Sequence, residues 1–195
     1  MKKLIIATNN QGKVKEFKAM LGEYYDEILS LKDVGINVDV VEDGETFHQN
    51  SAKKAVEISK LVEGDVLADD SGLCVDALDG APGIYSARFS GENATDEENN
   101  AKLLQLMATQ PNKKARFVCA LVLANNGKEL LSVEDFTEGT ILDSPRGESG
   151  FGYDPLFFNE EHGKTFAELS LDVKNQISHR ARALRRLQQE LASRA

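Results

Sequence analysis

The sequence predicts an α/β fold: a central mixed, twisted β-sheet flanked by helices, with two lobes and the active-site cleft between them. Strand and amphipathic helix patterns alternate through the first half of the chain. Further along, Asn125-Asn126-Gly127 separates two apolar runs, which is the strongest hairpin signal in the sequence. The 195 residues suit one domain, spanning 1–195 with two lobes.

The first elements are read from the spacing of apolar residues. Residues 4–7 predict a strand, and Val14, Phe17 and Leu21 then fall at helical spacing. Residues 36–41 alternate like a second strand, which would end at Glu42-Asp43-Gly44. A helix from Thr46 follows, carrying Asn50, Lys53 and Lys54 on its polar face, and residues 66–70 form the next strand.

The second half begins with residues 77–91, whose three glycines and one proline predict a long loop. Residues 95–98 form a capping box for a helix that ends at Met107. The hairpin of residues 115–136 supplies central antiparallel strands, and residues 147–154 form a Gly-rich loop. An amphipathic helix with an apolar stripe through Leu191 closes the chain.

Composition excludes several classes of protein. The chain is 41% hydrophobic and 28% charged, as expected of a globular domain, and its net charge of −9 opposes binding to a nucleic-acid polymer. No apolar run is long enough for a signal peptide or a membrane span, so we expect a cytoplasmic protein without a membrane partner. Cys74 and Cys119 lack metal-ligand spacing and are interpreted as core residues.

Asp69 and Asp70, followed by Ser71 and Gly72, come directly after an apolar strand. Successive strand side chains point to opposite faces of the sheet. We therefore expect one carboxylate to take part in the reaction and the other to have a structural role. Buried carboxylates need partners such as Mg²⁺, backbone N–H groups or a lysine. The alternative is that the Asp and Ser side chains only cap the following turn.

Polar residues between the first strand and helix predict a phosphate site, because free N–H groups and the helix dipole attract anions there. Lys13 would add a full positive charge. The alternative is a plain turn with a surface lysine, since the loop lacks the Walker A pattern. The residues concerned are Thr8, Asn9, Asn10, Gln11, Gly12 and Lys13.

Phe151, between two glycines, could lie flat against a purine base, with Asp154 and Arg180 as candidates for hydrogen bonds that select the base. The alternative is a Gly-rich turn pinned into the core by Phe151. Ser178 could be the N-cap of the last helix. No zinc spacing links the histidines, and no Ser/His/Asp signature indicates a covalent nucleophile.

Five motifs in order resemble the inosine/xanthosine triphosphate pyrophosphatase family. They are residues 8–13 (TNNQGK), 68–73 (ADDSGL), 80–88 (GAPGIYSAR), 150–155 (GFGYDP) and 177–180 (ISHR). The resemblance implies hydrolysis of ITP, dITP and XTP at the α–β phosphate bond to a monophosphate and pyrophosphate. It also implies Mg²⁺ as the cofactor and a homodimer.

The resemblance also assigns roles. It makes Asp70 the proton acceptor that activates water, with Glu42 and Asp70 as metal ligands. The substrate-binding residues would be Thr8, Asn9, Asn10, Gln11, Gly12, Lys13, Lys53, Ser71, Phe151, Gly152, Tyr153, Asp154, Lys174, His179 and Arg180.

One position departs from the family pattern. Gln49 stands where similar proteins typically have Glu, so a carboxylate near the metal could be lost, with Glu42, Glu45 or Asp69 compensating or metal affinity reduced. Two other functions stay open. One is a metal-dependent phosphomonoesterase with Asp70 as covalent nucleophile, and the other is a nucleotide sensor without turnover.

Overall fold

A computed structural model describes residues 1–194. It contains one seven-stranded sheet in the order β2-β1-β3-β4-β5-β6-β7. The sheet is mixed, because β1 pairs in parallel with β2 and β3 whereas β6 pairs antiparallel with β5 and β7. The strands are β1 (Lys3–Ile6), β2 (Glu27–Ser30), β3 (Asp65–Val75), β4 (Lys114–Asn125), β5 (Lys128–Ile141), β6 (Phe157–Asn159) and β7 (Lys164–Thr165).

Five α-helices accompany the sheet among residues 1–194. Most begin at a side chain that accepts a hydrogen bond from the first turn, as helix N-termini require. Thr95 and Glu98 form the predicted capping box. The helices are α1 (Gln11–Leu21), α2 (Phe47–Ser59), α3 (Asp96–Met107), α4 (Leu171–Ile177) and α5 (His179–Ser193). None of the helices in this part of the chain is long and apolar enough to cross a membrane.

The chain divides into two compact units. The first unit comprises Met1–Asp70, Cys119–Asp135 and the chain from Arg182, and the second comprises Ser71–Val118 and Phe136–Ala181. In the first unit, alternate residues of β1 enter two different apolar clusters, Leu4 in one and Ile5 in the other. β1 is therefore buried on both faces.

The second unit has its own apolar core. Phe117, Phe157 and Phe166 pack there as a group, with ring centroids 4.4 to 5.6 Å apart. The core also contains Leu103 and Met107, the apolar side of α3. Tyr153, from the predicted base-binding loop, belongs to this core, and Val173 and Ile177 of α4 pack against it. The core therefore fixes the loop and the helix that carry predicted base-binding residues.

The predicted hairpin is present. Only Asn126 and Gly127 separate β4 from β5, and both have positive φ, +48° and +78°. A two-residue hairpin turn of this kind requires positive φ at both positions, which Asn and Gly adopt most easily.

The predicted strand at residues 36–41 is wrong. This segment is irregular, with Val38 45% and Val41 65% exposed, and the strand beside β1 is β2, which the sequence analysis missed. The alternation reflects the anchoring of a loop, since Val40 is buried in the core cluster that also contains Ala55 and Val66. Ile36 also packs against this cluster, and two inward residues can hold a loop without any ladder of backbone hydrogen bonds.

Three other predictions need correction. The strand that carries Asp69 and Asp70 does not end there but continues to Val75. The predicted loop at residues 77–91 contains the 3₁₀ helices Asp76–Leu78 and Gly83–Arg88. The final helical pattern is two helices, because Ser178 has extended backbone angles between α4 and α5.

Candidate active site

Asp69 and Asp70 have different partners in the first unit, as their neighbouring positions on a strand predict. The Asp69 carboxylate accepts from Lys13 Nζ at 2.6 Å and from Cys119 Sγ at 3.1 Å. Asp70 lies in the electrostatic field of Glu42 and Lys54. Asp69 is therefore paired with Lys13 and Cys119, and a chemical role for Asp70 stays a prediction.

The loop before α1 is built to leave an exposed helix N-terminus. Thr8 Oγ1 accepts from the Asn10 N–H at 3.1 Å, and Asn10 Oδ1 accepts from the Lys13 N–H at 3.1 Å as the N-cap. The first turn of α1 contains no acidic residue. The positive end of the helix dipole is therefore not neutralised locally and suits an anion.

Asp70 is a strongly perturbed acid of the first unit. Its side chain is mostly buried, with 8% of the residue exposed, and desolvation raises its pKa from 3.8 to about 7. The positive charge of Lys54 opposes this rise in pKa, whereas the negative charges of Glu42 and Asp69 reinforce it. A carboxyl group that titrates near neutrality can take a proton from water during a reaction.

Lys54 contacts Glu42 and the main chain of Asp69, which the sequence analysis did not predict. Its Nζ is 2.6 Å from Glu42 Oε1 and 2.6 Å from the main-chain oxygen of Asp69. The predicted phosphate ligand Lys53 instead pairs with Asp43 at 2.9 Å on the exposed side of α2. The spacing offered one signal for Lys54, since it is four residues from Asn50 and therefore shares its face of the helix.

The structure accounts for Gln49. Its Oε1 accepts from the Glu45 N–H at 2.7 Å, while its own N–H donates to the N-cap Thr46. The amide oxygen of a Gln can accept this hydrogen bond as well as a Glu carboxylate can. The amide at position 49 thus holds the loop before α2.

The acids of the first unit offer a cation two carboxylates at most. Within residues 1–194, no group of three or more His, Cys, Asp or Glu side chains is arranged to hold a metal ion. Mg²⁺ usually takes one or two carboxylates and completes its shell with substrate phosphates and water. Glu42 and Asp70 supply such a pair, and Asp70 Oδ2 is buried with no hydrogen-bond partner among these residues.

In the second unit, Asp154 organises the predicted base-binding loop. Its Oδ2 accepts from Lys174 Nζ at 2.8 Å and from the Phe151 N–H at 3.1 Å. Burial raises the pKa of Asp154, and the neighbouring Lys174 opposes the rise. Gly150 is required here because its φ is +77° and a Cβ would collide with the Asp154 carboxylate.

Two cations lie near the face of the Phe151 ring. Lys174 Nζ is 4.8 Å from the ring centroid and Arg180 Cζ is 5.8 Å from it. Arg180 is only 2% exposed, and its guanidinium reaches Ser71 Oγ at 3.5 Å. An aromatic face beside two hydrogen-bond donors is suited to a flat ring that carries acceptor oxygens.

Three predicted residues of this unit have structural contacts. Tyr153 is 5% exposed, and its hydroxyl donates to the Ser86 carbonyl at 2.6 Å. His179 stacks on Phe117 with centroids 4.8 Å apart, and Ser178 Oγ caps α5 by accepting from the Ala181 N–H. The Ser178 prediction is confirmed, while nucleotide contacts of Tyr153 and His179 stay predictions.

The sequence analysis missed two residues that hold the loop. Asp96 Oδ2 accepts from the Gly152 N–H at 2.9 Å, and Asn100 Nδ2 donates to the Gly152 carbonyl at 3.0 Å. They are one helical turn apart at the start of α3, so a single helix face fixes both peptide groups of Gly152. Their partner is 56 and 52 residues away in the sequence, and no local pattern could have indicated the contact.

Known proteins match this chain over nearly its whole length. The model of the Ham1 family matches residues 4–190. A dITP/XTP pyrophosphatase of Clostridium perfringens is 51% identical and aligns over 98% of both chains. A dITP/XTP pyrophosphatase of Geobacter sulfurreducens is 50% identical, with coverage of 98% and 97%.

Solved structures of Ham1 proteins have the same fold over nearly the whole chain. The Ham1 protein of Staphylococcus aureus superposes with a TM-score of 0.90 at 41% identity, covering 100% of both chains. A HAM1 protein from Coxiella burnetii gives 0.90 at 36% identity, with coverage of 99% and 100%. Together with the family match over residues 4–190, these similarities show that the chain belongs to the Ham1 family.

Proposed function

We propose that the protein hydrolyses noncanonical purine nucleoside triphosphates, ITP, dITP and XTP, to the nucleoside monophosphate and pyrophosphate. The observation that carries the proposal is Asp70, a mostly buried carboxyl group beside Glu42 and Lys54 with a pKa raised to about 7. It stands in a chain whose relatives of matching length are dITP/XTP pyrophosphatases. Removal of such nucleotides from the nucleotide pool is the role that follows.

In this proposal the first unit carries the triphosphate and the reacting water. The N–H groups at the start of α1 and the ammonium group of Lys13 bind phosphate oxygens. Asp70 accepts the proton of the water that attacks at the α–β bond, and the pyrophosphate leaves. Lys54 stabilises the negative charge that develops nearby, since its Nζ is already held against Glu42.

The second unit carries the base. Phe151 supplies a stacking surface, and such stacking is worth about 1–3 kcal/mol for any base. Selectivity must then come from hydrogen bonds, and Arg180 can only donate. The 6-oxo group of hypoxanthine and xanthine accepts a hydrogen bond, whereas the 6-amino group of adenine does not. Guanine has the same 6-oxo group, so rejection of GTP must depend on its 2-amino group.

Mg²⁺ is proposed as the cofactor, held by Glu42 and Asp70 together with substrate phosphates. When bound, it would neutralise phosphate charge and polarise the reacting phosphoryl group. We also propose that the protein is a homodimer located in the cytoplasm, with its place in the Ham1 family as the support.

Product analysis tests the proposal against its alternatives. Purified protein is incubated with ITP, XTP, ATP or GTP, with and without Mg²⁺, and pyrophosphate and inorganic phosphate are measured separately. We expect Mg²⁺-dependent pyrophosphate from ITP and XTP and little from ATP or GTP. Inorganic phosphate as the first product would favour the phosphomonoesterase, and saturable binding without product would favour the sensor.

A further inference from the structure

Asn50, in the first turns of α2, is a buried polar residue without an assigned role. It is 1% exposed in the first unit, and its side chain lies between the loop that carries Glu42 and the carboxylate of Asp70. We infer that Asn50 is a positioning residue that orients Asp70 and holds the Glu42 loop against it. This inference rests on the proposed function, because it concerns the same reaction.

The orientation of the Asn50 amide is fixed by its neighbour. The Gly44 N–H donates to Asn50 Oδ1 at 2.7 Å. Because only the oxygen can accept this hydrogen bond, Nδ2 is the atom that must point away from the loop. The amide therefore presents its donor end to the interior of the unit.

Asn50 Nδ2 and Asp70 Oδ2 are two buried polar atoms of neighbouring side chains. The Asn50 side chain interacts with the Asp70 carboxylate. Even so, Asn50 Nδ2 and Asp70 Oδ2 are buried without a hydrogen-bond partner among residues 1–194. Unsatisfied buried polar atoms are rare in folded proteins and require an explanation such as a catalytic role. The Asn50 side chain can therefore hold the Asp70 carboxylate in one orientation.

Gly44 shows that the contact depends on a tight fit. A Cβ at this position would lie 2.7 Å from Asn50 Oδ1 and 2.9 Å from the Gln49 Cβ. A larger residue would push the loop away from α2 and displace Glu42, which is two positions earlier. Asn50 thus fixes the positions of both acids that the proposed mechanism uses.

The test compares two changes from amide to acid on the same helix. Asn50→Asp keeps an oxygen for the Gly44 N–H but replaces the donor with a second oxygen. Gln49→Glu is the matched control, since it adds the same charge one position earlier and keeps the acceptor for the Glu45 N–H. For each variant, kcat and KM for ITP are measured, together with the melting temperature and the Kd for ITP in EDTA.

We expect Asn50→Asp to lower kcat about 100-fold, because misplacement of a reacting group by about 1 Å has an effect of that size. Its KM and Kd should stay near the wild-type values, and Gln49→Glu should keep wild-type kcat. The melting temperature of Asn50→Asp should fall, because position 50 is buried and the new carboxylate lies beside Asp70. A merely structural role would affect kcat and KM in parallel, and that result would overturn the inference.

The remaining outcomes are also decisive. If Asn50→Asp matches Gln49→Glu in kcat, the inference is wrong while the proposed function stands. If Asn50→Asp does not fold, Gly44→Ala replaces it, with the same loss of kcat expected from displacement of the amide and an unchanged kcat contradicting the inference. If the wild-type protein releases no pyrophosphate, the proposed function fails and the inference fails with it.

Discussion

Replacement of Asp70 by Asn should make the protein inactive and more stable at the same time. The ionised carboxylate is held in a desolvated position, which is why its pKa is raised to about 7. Asn has nearly the same shape but no charge to desolvate. It also cannot accept a proton from water, so turnover should fall by at least the factor of about 10²–10⁴ attributed to general base catalysis.

The stability gain follows from the shift in pKa. The folded protein holds the proton with a pKa of about 7, compared with an ordinary value of 3.8. At about 1.4 kcal/mol per pKa unit, ionisation of Asp70 above pH 7 costs the folded state about 4 kcal/mol at most. Allowing for an imperfect fit of the amide, we expect Asn to raise the free energy of unfolding by about 2–4 kcal/mol at pH 8.

The sign of the pH dependence is fixed by the direction of the shift. An acid with a raised pKa in the folded state stabilises that state fully below its unfolded pKa. This contribution is lost as the pH rises through the folded pKa, here between 3.8 and about 7. The difference between wild type and Asp70→Asn should therefore be largest at pH 8 and disappear near pH 4.

Denaturant unfolding of both proteins in EDTA at pH 4, 6 and 8 measures this difference without metal. The Asp43→Asn variant is a suitable control, since Asp43 is an exposed acid with a lowered pKa. Equal stability of wild type and Asp70→Asn at pH 8 would refute the argument that Asp70 is strained by desolvation. An active Asp70→Asn variant would remove Asp70 from the mechanism.

Three further variants test other contacts. Lys54→Ala should lower kcat for ITP about tenfold or more, whereas Lys53→Ala, on the exposed side of α2, should change it less than about threefold, and equal effects would contradict the assignment of Lys54. Lys174→Met should lower the free energy of unfolding by about 3–5 kcal/mol at pH 8, because it leaves Asp154 buried without its cation. This loss should shrink at acid pH, where the raised pKa of Asp154 lets it bind a proton. It should also shrink in the double variant with Asp154→Asn. Denaturant unfolding measures the loss, and a loss that does not depend on pH would contradict the ion pair of Lys174 with Asp154. Arg180→Ala should reduce the ratio of kcat/KM for ITP over ATP more than it reduces kcat with ITP, and an unchanged ratio would exclude Arg180 from base selection.

Local patterns predicted the features that depend on local physics. The different partners of Asp69 and Asp70 follow from the period of two along a strand. The capping box at Thr95 and the hairpin turn at Asn126 depend on hydrogen bonds and φ angles within a few residues. Features of this kind are encoded in short segments and can be read from sequence alone.

Features that depend on tertiary contacts could not be read in this way. The segment ending at Val41 alternates like a strand but has no neighbouring strand, whereas β2 is too short to show any pattern. Lys53 and Lys54 are adjacent in sequence, and only the fold shows which of them faces Glu42. The contact between Asn100 and Gly152 joins distant segments and has no local signature.

The most direct test of the central claim is the ratio of kcat/KM for dITP to that for dATP, measured by pyrophosphate release in Mg²⁺. A site that selects the base through buried hydrogen bonds can discriminate by about 10⁴–10⁵. We predict a preference for dITP of at least about 100-fold, since Arg180 and Lys174 present donors beside Phe151. Equal values for the two nucleotides would contradict the account.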